Sequence, residues 1–429
     1  MTESQNSNLK RTLIIITLIA AGETVFLLPF VVARIFRPTF LDVFELTNLQ
    51  LGSAFSVYGI VAMIAYLAGG PLADRFTARR LMASALIITS LGGFVFANIP
   101  SLAVLTLLYG FWGLTTVFLF WAALIKATRE WGGTKSQGKA YGLLDGGRGL
   151  LAALLASISV VVFASFLPED VASASLEEKR QALSRLILIY TGLIIAVGVL
   201  VWIAVPEPRV IKDTDIPDSL LKFAGVKKVL KMPTVLLQSI IVVCAYVGYK
   251  TTDDFSLYVS DAFGYDDVAA AQIGTISFWV RPFAALAAGL IADKFRSSNI
   301  VIVCFAILLV GSASIAMGAL TPGIYWIIIS TLAATSVGIY ALRGIYFALF
   351  EEAKVPIIYT GSAVGIVSVI GYTPDIFMGP LMGYLIDRSP GAVGHHHVFA
   401  VLAAFALIGL LATFAFQRVN RKQIQYNNS

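Results

Sequence analysis

The chain has 429 residues, 58% of them hydrophobic and only 13% charged, with a mean hydropathy of +0.84. A soluble enzyme or soluble regulatory domain is excluded as the overall design, because windows of about 20 apolar residues, each able to cross roughly 30 Å of hydrocarbon, recur along the whole length. The net charge of +6 raises the question of nucleic acid, which the placement of the charges answers below.

Twelve spans are predicted, near 12–33, 50–73, 80–98, 101–124, 139–164 and 184–205, then 233–259, 268–292, 298–318, 322–349, 357–386 and 397–417. Span one opens "LKRTLIIITLIAAGE", which has the basic start and small residues of a secretory signal. Apolar sequence resumes at Val25, and cleavage would leave eleven spans, so it reads as a span with Glu23 roughly 20 Å above Lys10. Span two is followed by "GGPLADRFTARR". Span five, "YGLLDGGRGLLAALLASISVVVF", carries Asp145 and Arg148, three apart and so on one helical face, with Gly142, Gly146 and Gly149 on a neighbouring stripe suited to close approach of another helix, with span eight as the expected partner. Leu167 to Arg185 is rich in helix formers and predicts a short helix outside the membrane.

Pro206 to Met232 is the longest charged stretch and forms the joint between halves. Its part from Ser219 to Met232 suits a basic amphipathic helix, within a solvated linker. The expected domains are therefore 1–205 and 233–429, two six-helix bundles joined by 206–232. Beyond the linker, span seven carries Lys250, Asp253 and Asp254, span eight Arg281, span ten Arg343 with Glu351 and Glu352 at its end, and span eleven Asp375. Three histidines, His395 to His397, read as a solvated loop before span twelve.

Assigning the loops alternately to two sides puts 21 of the 31 Lys and Arg on the side of the N-terminus and six on the other, with four inside spans. Such asymmetry follows the positive-inside rule and predicts both termini in the cytoplasm of a multi-pass protein of the cytoplasmic (inner) membrane. The positive charge then orients the chain, and no nucleic-acid partner is implied. Cys244 and Cys304 lie in different spans, so no disulfide framework organises the fold.

The loop after span two recurs after span eight as "AGLIADKFRSSN". Gly70, Ala73, Asp74, Arg75 and Phe76 match Gly289, Ala292, Asp293, Lys294 and Phe295, which indicates duplicated halves. With Arg79 and Arg80, the first copy resembles the signature loop of the major facilitator superfamily, G-x-x-x-D-(R/K)-x-G-(R/K)-(R/K), with Thr77 at the usual second Gly and Ala78 at the first of the paired basic positions. The resemblance implies an all-α membrane protein, twelve transmembrane helices in two six-helix pseudo-symmetric bundles. It also implies a gate role for Gly70, Asp74, Arg75, Arg79, Arg80, Asp293 and Lys294, to which Asp145 is added by its place on span five.

In that family, spans one, four, seven and ten line the central path, and spans two, five, eight and eleven meet across the interface. The intramembrane charges fall on these groups of spans and not on three, six, nine or twelve. Each such charge is costly in lipid and hence a functional candidate. Arg148 and Arg281 suit a carboxylate, phosphate or sulfonate, and Glu23, Asp253, Asp254 and Asp375 are candidates for proton coupling. Tyr109, Trp112, Tyr249, Trp279 and Tyr340 are expected to contact the solute. Span four lacks the Arg of drug/proton antiporters, while "FWAALIKATREWGGTKSQGKAYGLLDGGRG" looks like the span-four to span-five connection of organic-anion and sugar-phosphate permeases.

The expected function is secondary transport of a small polar, anionic organic solute, coupled to an ion, the proton first. A drug or metabolite exporter, or a membrane sensor that binds without translocating, is the alternative. No Walker A, nucleophile elbow or HExxH occurs, so no enzyme, cofactor or metal site is expected. The expected partners are solute, coupling ion and membrane lipid, with the chain as a monomer.

Overall fold

The computed structural model describes residues 3–133, 137–207, 229–292, 294–320, 325–353 and 360–428; for 3–8, 67, 68, 70, 71, 74, 137–139, 360–362 and 423–428 that description covers the backbone alone. Every regular element among the described residues is helical. Twelve helices are long and apolar enough to cross a membrane: Leu9–Ile35, Asn48–Tyr66, Ala78–Ala97, Leu102–Gly132, Ala140–Ala164 and Leu176–Ala204, then Pro233–Phe263, Asp267–Ala292, Ser297–Ala316, Tyr325–Glu352, Ala363–Arg388 and Ala392–Lys422. They are spans one to twelve.

Contacts divide the chain into two compact units. The first is Met1–Val210 with Asp253–Pro282 and Gly379–Asp387; the second is Ile211–Thr252, Phe283–Met378 and Arg388–Ser429. Spans one to six therefore pack in one unit with the Asp253–Pro282 part of spans seven and eight and the Gly379–Asp387 part of span eleven.

Local chemistry explains the helix ends. Thr47 and Gln50 close a capping box at the start of span two, and Ser175 with Glu178 does the same for span six. The second box corrects the expected extramembrane helix. Leu167 to Arg185 holds only a 3-10 turn, Val171–Ser173, after which the helix formers from Leu176 are the opening turns of span six. The histidines are corrected as well. They sit in the first turns of the helix Ala392–Asn428, which starts directly after the turn at Gly391 (φ +73°), and His395 is fully buried. The predicted amphipathic helix of the linker lies almost wholly outside the described residues.

Helix two runs on to Arg75, where Lys126 of span four places its ammonium 2.6 Å from the Ala73 carbonyl oxygen and 3.4 Å from that of Phe76. A cation at a helix C-terminus satisfies carbonyls that the helix itself leaves open.

Candidate functional site

Several of the helices that carry intramembrane charge are irregular, although span five is an unbroken α-helix through Asp145 and Arg148. Span one widens to a π-helix over Leu27–Val31, four residues past Glu23, where Pro29 has no N–H to keep the α-helical register. Span four is π-helical over Leu114–Trp121. Span seven breaks at a 3-10 turn, Thr252–Asp254, and span ten at another, Tyr346–Ala348. Span eight has Pro282 beside Arg281, and span eleven restarts at Pro374 next to Asp375.

In the first unit Glu23 is buried, with 4% exposure. Its Oε2 is 3.5 Å from Arg148 Nε and its Oε1 is 3.5 Å from Arg281 Nη1, so one carboxylate lies between two guanidiniums. Arg148 Nε also donates to the Gly22 carbonyl at 3.0 Å, and its guanidinium lies 5.5 Å from the Trp121 ring and 5.9 Å from Phe26. Asp145 is 3.5 Å from Arg148 but 80% exposed, where solvent screening leaves a pair little strength. Span five does meet span eight here: a Cβ on Gly149 would stand 3.3 Å from Pro282, whereas Gly142 and Gly146 face open space.

Elsewhere the first unit is tied by further polar contacts. Arg34 of span one pairs with Asp253 of span seven, both buried, and its carbonyl accepts from Ser256 at 2.9 Å. Arg37 donates to Asn48 at 3.0 Å and to the Asp253 carbonyl at 3.4 Å. Asp387 of span eleven accepts from the backbone N–H groups of Asn48 and Leu49 at 3.0 and 2.8 Å, the open donors of the span-two N-terminus. The same two helices touch backbone to backbone: a Cβ on Gly52 would fall inside the Gly379 carbonyl, and one on Gly383 inside the Asn48 peptide. Lys179 of span six meets Asp267 at 2.5 Å and Asp42 at 3.6 Å. Burial raises the Asp42 carboxyl above its ordinary value, a shift that Lys179 opposes.

The second unit holds a different cluster. Lys250, buried, is 3.5 Å from Asp375 Oδ1, and Tyr246 donates its hydroxyl to Asp375 Oδ2 at 2.9 Å. Tyr246 also packs on Tyr249 and Tyr372, with ring centres 5.4 and 4.9 Å apart. Arg343 lies over the Tyr249 ring at 3.8 Å and the Tyr246 ring at 5.4 Å. Tyr340 sits 6.3 Å from Tyr249.

The other sequence-derived candidates are scattered. Tyr109 and Trp112 are fully buried and pack edge to face on Phe55 and Phe96, with the Trp112 indole donating to the Thr89 carbonyl. Trp279 donates to Ser157 at 2.9 Å. Asp254 is fully buried next to Asp253. Of the gate residues, Arg75 and Lys294 are exposed, Arg79 lies 4.7 Å over the Trp202 ring, and Arg80 pairs with Glu207 at 2.6 Å. Gly70 is described only by its backbone within the helix Asn48–Arg75, while the side chain of Asp74 and Asp293 as a whole lie outside the described residues.

The model of the major facilitator superfamily matches residues 13–372. The chain belongs to this superfamily. It is 29% identical over 384 residues to the inner membrane protein YqcE of Escherichia coli (strain K12), covering 86% of each chain. It is 25% identical over 410 residues to the inner membrane protein YihN of the same strain, covering 94% of each. Among solved structures it resembles a bacterial homologue of the human lysosomal transporter Spinster in an inward-facing, unoccupied conformation, with a TM-score of 0.71, 17% identity, and coverage of 98% of this chain and 99% of that one. The nucleoside transporter NupG gives a TM-score of 0.66 at 14% identity, covering 95% and 98%. These likenesses carry the fold. Membership of the superfamily makes the chain a multi-pass membrane transporter for a small molecule.

Arg343, Lys250, Arg34 and Asp387 take central places in these clusters without having been singled out as site residues from the sequence. The signal available for Arg343 and Lys250 was their charge within a span. Arg34 and Asp387 sit where a span meets a loop, and nothing in their local sequence sets them apart from solvated charges.

Proposed function

We propose that the chain is a proton-coupled secondary transporter of a small organic anion in the cytoplasmic membrane, with both termini in the cytoplasm and the halves 1–205 and 233–429 as its moving parts. The observation that supports it is Glu23 held between Arg148 and Arg281. Two guanidiniums and one carboxylate make a site where an incoming anion and Glu23 compete for the same donors. Away from its arginines, Glu23 would be a lone carboxylate in a medium that disfavours charge, and taking up a proton removes that cost. Anion binding and proton binding then favour each other, which is the thermodynamic requirement for carrying both together. The inner-membrane location is supported by the YqcE and YihN relatives, and the orientation by the basic loops.

Proteoliposomes loaded with a pH-sensitive dye test this. Addition of the transported anion should acidify the lumen in the wild type. Glu23→Gln, a mimic of the protonated acid, should abolish that acidification. It should also bind the anion about tenfold more tightly at neutral pH, since one competing charged contact of about 1.4 kcal/mol is removed. Proton uptake unchanged in Glu23→Gln would refute the coupling role.

A further inference from the structure

We propose that Arg343, with the tyrosines around it, is a standing binding site for the acidic group of a hydroxylated organic anion, separate from the Glu23 cluster. A guanidinium within a span is tolerated when a carboxylate or a backbone acceptor compensates it, and the two arginines on Glu23 show that arrangement. Arg343 departs from it. Among the described residues no carboxylate lies within ion-pair distance of it, and its Nη1 is buried without a hydrogen-bond acceptor. Its close neighbours are ring faces, Tyr249 at 3.8 Å and Tyr246 at 5.4 Å. Cation–π contact recovers only part of the cost of taking a guanidinium out of water. The deficit is one anionic acceptor.

The surroundings narrow its chemistry. Asp375, the acid of this cluster, accepts from Tyr246 and faces Lys250, so it answers those groups and not Arg343. The hydroxyls of Tyr346 and Tyr372 stand 3.4 Å apart, and Tyr340 closes on Tyr249. Phenol hydroxyls both donate and accept, which suits alcohol groups, and ring faces suit the C–H faces of a polyol or sugar. A planar guanidinium fork suits a carboxylate, phosphate or sulfonate in two-point contact. Lys250 and Arg343 together repel a cationic ligand. The span-ten helix gives way immediately after Arg343, at the 3-10 turn Tyr346–Ala348, as helices in this class of protein do beside a polar ligand.

The ligand class rests on the anion-transport reading above, whereas the location does not. Purified full-length protein is melted with D-gluconate, D-glucuronate and glycerol 3-phosphate, and with the uncharged D-glucose and glycerol as controls. At least one acid should stabilise the wild type while neither control does, and Arg343→Gln should weaken that acid about 10- to 100-fold, the span expected for one charged hydrogen-bonding group. Arg343→Lys keeps the buried charge, and with it the fold, but loses the fork; it should weaken binding about tenfold. Stabilisation by no acid, equal stabilisation by the controls, or wild-type affinity in both variants overturns the proposal. If Arg148→Gln abolishes binding while Arg343→Gln leaves it intact, this site falls and the Glu23 reading stands. Loss of proton uptake coupling with retained Arg343-dependent binding gives the converse.

Discussion

Asp253→Asn isolates the tie between spans one and seven. Arg34 and Asp253 expose 7% and 6% of their side chains, so neither water nor salt screens the pair, and removing one partner of a buried pair costs about 3–5 kcal/mol. Asparagine can still accept from Arg34 through its amide oxygen, which argues for the lower figure. About 3 kcal/mol corresponds to roughly two decades in an equilibrium at 1.36 kcal/mol per decade. If this end of the molecule opens and closes during transport, the variant shifts that equilibrium toward the opened arrangement by that factor. Ser256 reports on it, being fully buried with its hydroxyl on the Arg34 carbonyl. With Cys244 and Cys304 replaced, Ser256→Cys should react slowly with a membrane-impermeant maleimide and at least tenfold faster when Asp253→Asn is added. A lower melting temperature with an unchanged labelling rate would refute the reasoning, because the pair would then hold the fold as a whole and not one of its arrangements.

Lys126→Ala removes the ammonium from the last carbonyls of helix two, a loss of about 1–2 kcal/mol confined to that turn. Hydrogen exchange at the Phe76 amide, which donates to Leu72, should rise about tenfold while exchange in span three stays unchanged. For Asp42 the sign follows from burial. Its folded-state value is raised, so its contribution to stability is complete below the ordinary value of 3.8 and is lost as pH rises through the folded value. Asp42→Asn should therefore melt higher than the wild type at pH 7, with the gain vanishing as pH falls toward the ordinary value.

Much of the architecture was legible because lipid imposes a simple rule: a span must be apolar for its whole length, and twelve windows satisfy it. Glu23 and Arg281 were legible as charges within spans one and eight, and in the structure they meet. Their third partner, Arg148, came from span five. What stayed hidden is long-range or conformational. Arg34 and Asp253 are 219 residues apart, and no local pattern announces their meeting. The histidines looked like a loop because a run of polar residues at a span end does not reveal that Gly391 has already turned the chain into a helix. In contrast, the capping residues Ser175 and Glu178 were plain in the sequence as S-x-x-E, and weighing that motif would have placed the start of span six at Leu176. Arg343 was visible as a charge, but only three dimensions reveal that its neighbours are ring faces.

Spans two and eleven meet backbone to backbone at Gly52, Gly379 and Gly383, with Asp387 holding the start of span two beside them. Interlocked side chains must change rotamer before two helices can part, and each change adds a barrier. Bare peptide planes have no rotamers, so if these two helices part during transport, no side chain has to rearrange at their glycine contacts. A bulky residue at any of the three positions would act as a wedge, holding this end of the molecule ajar.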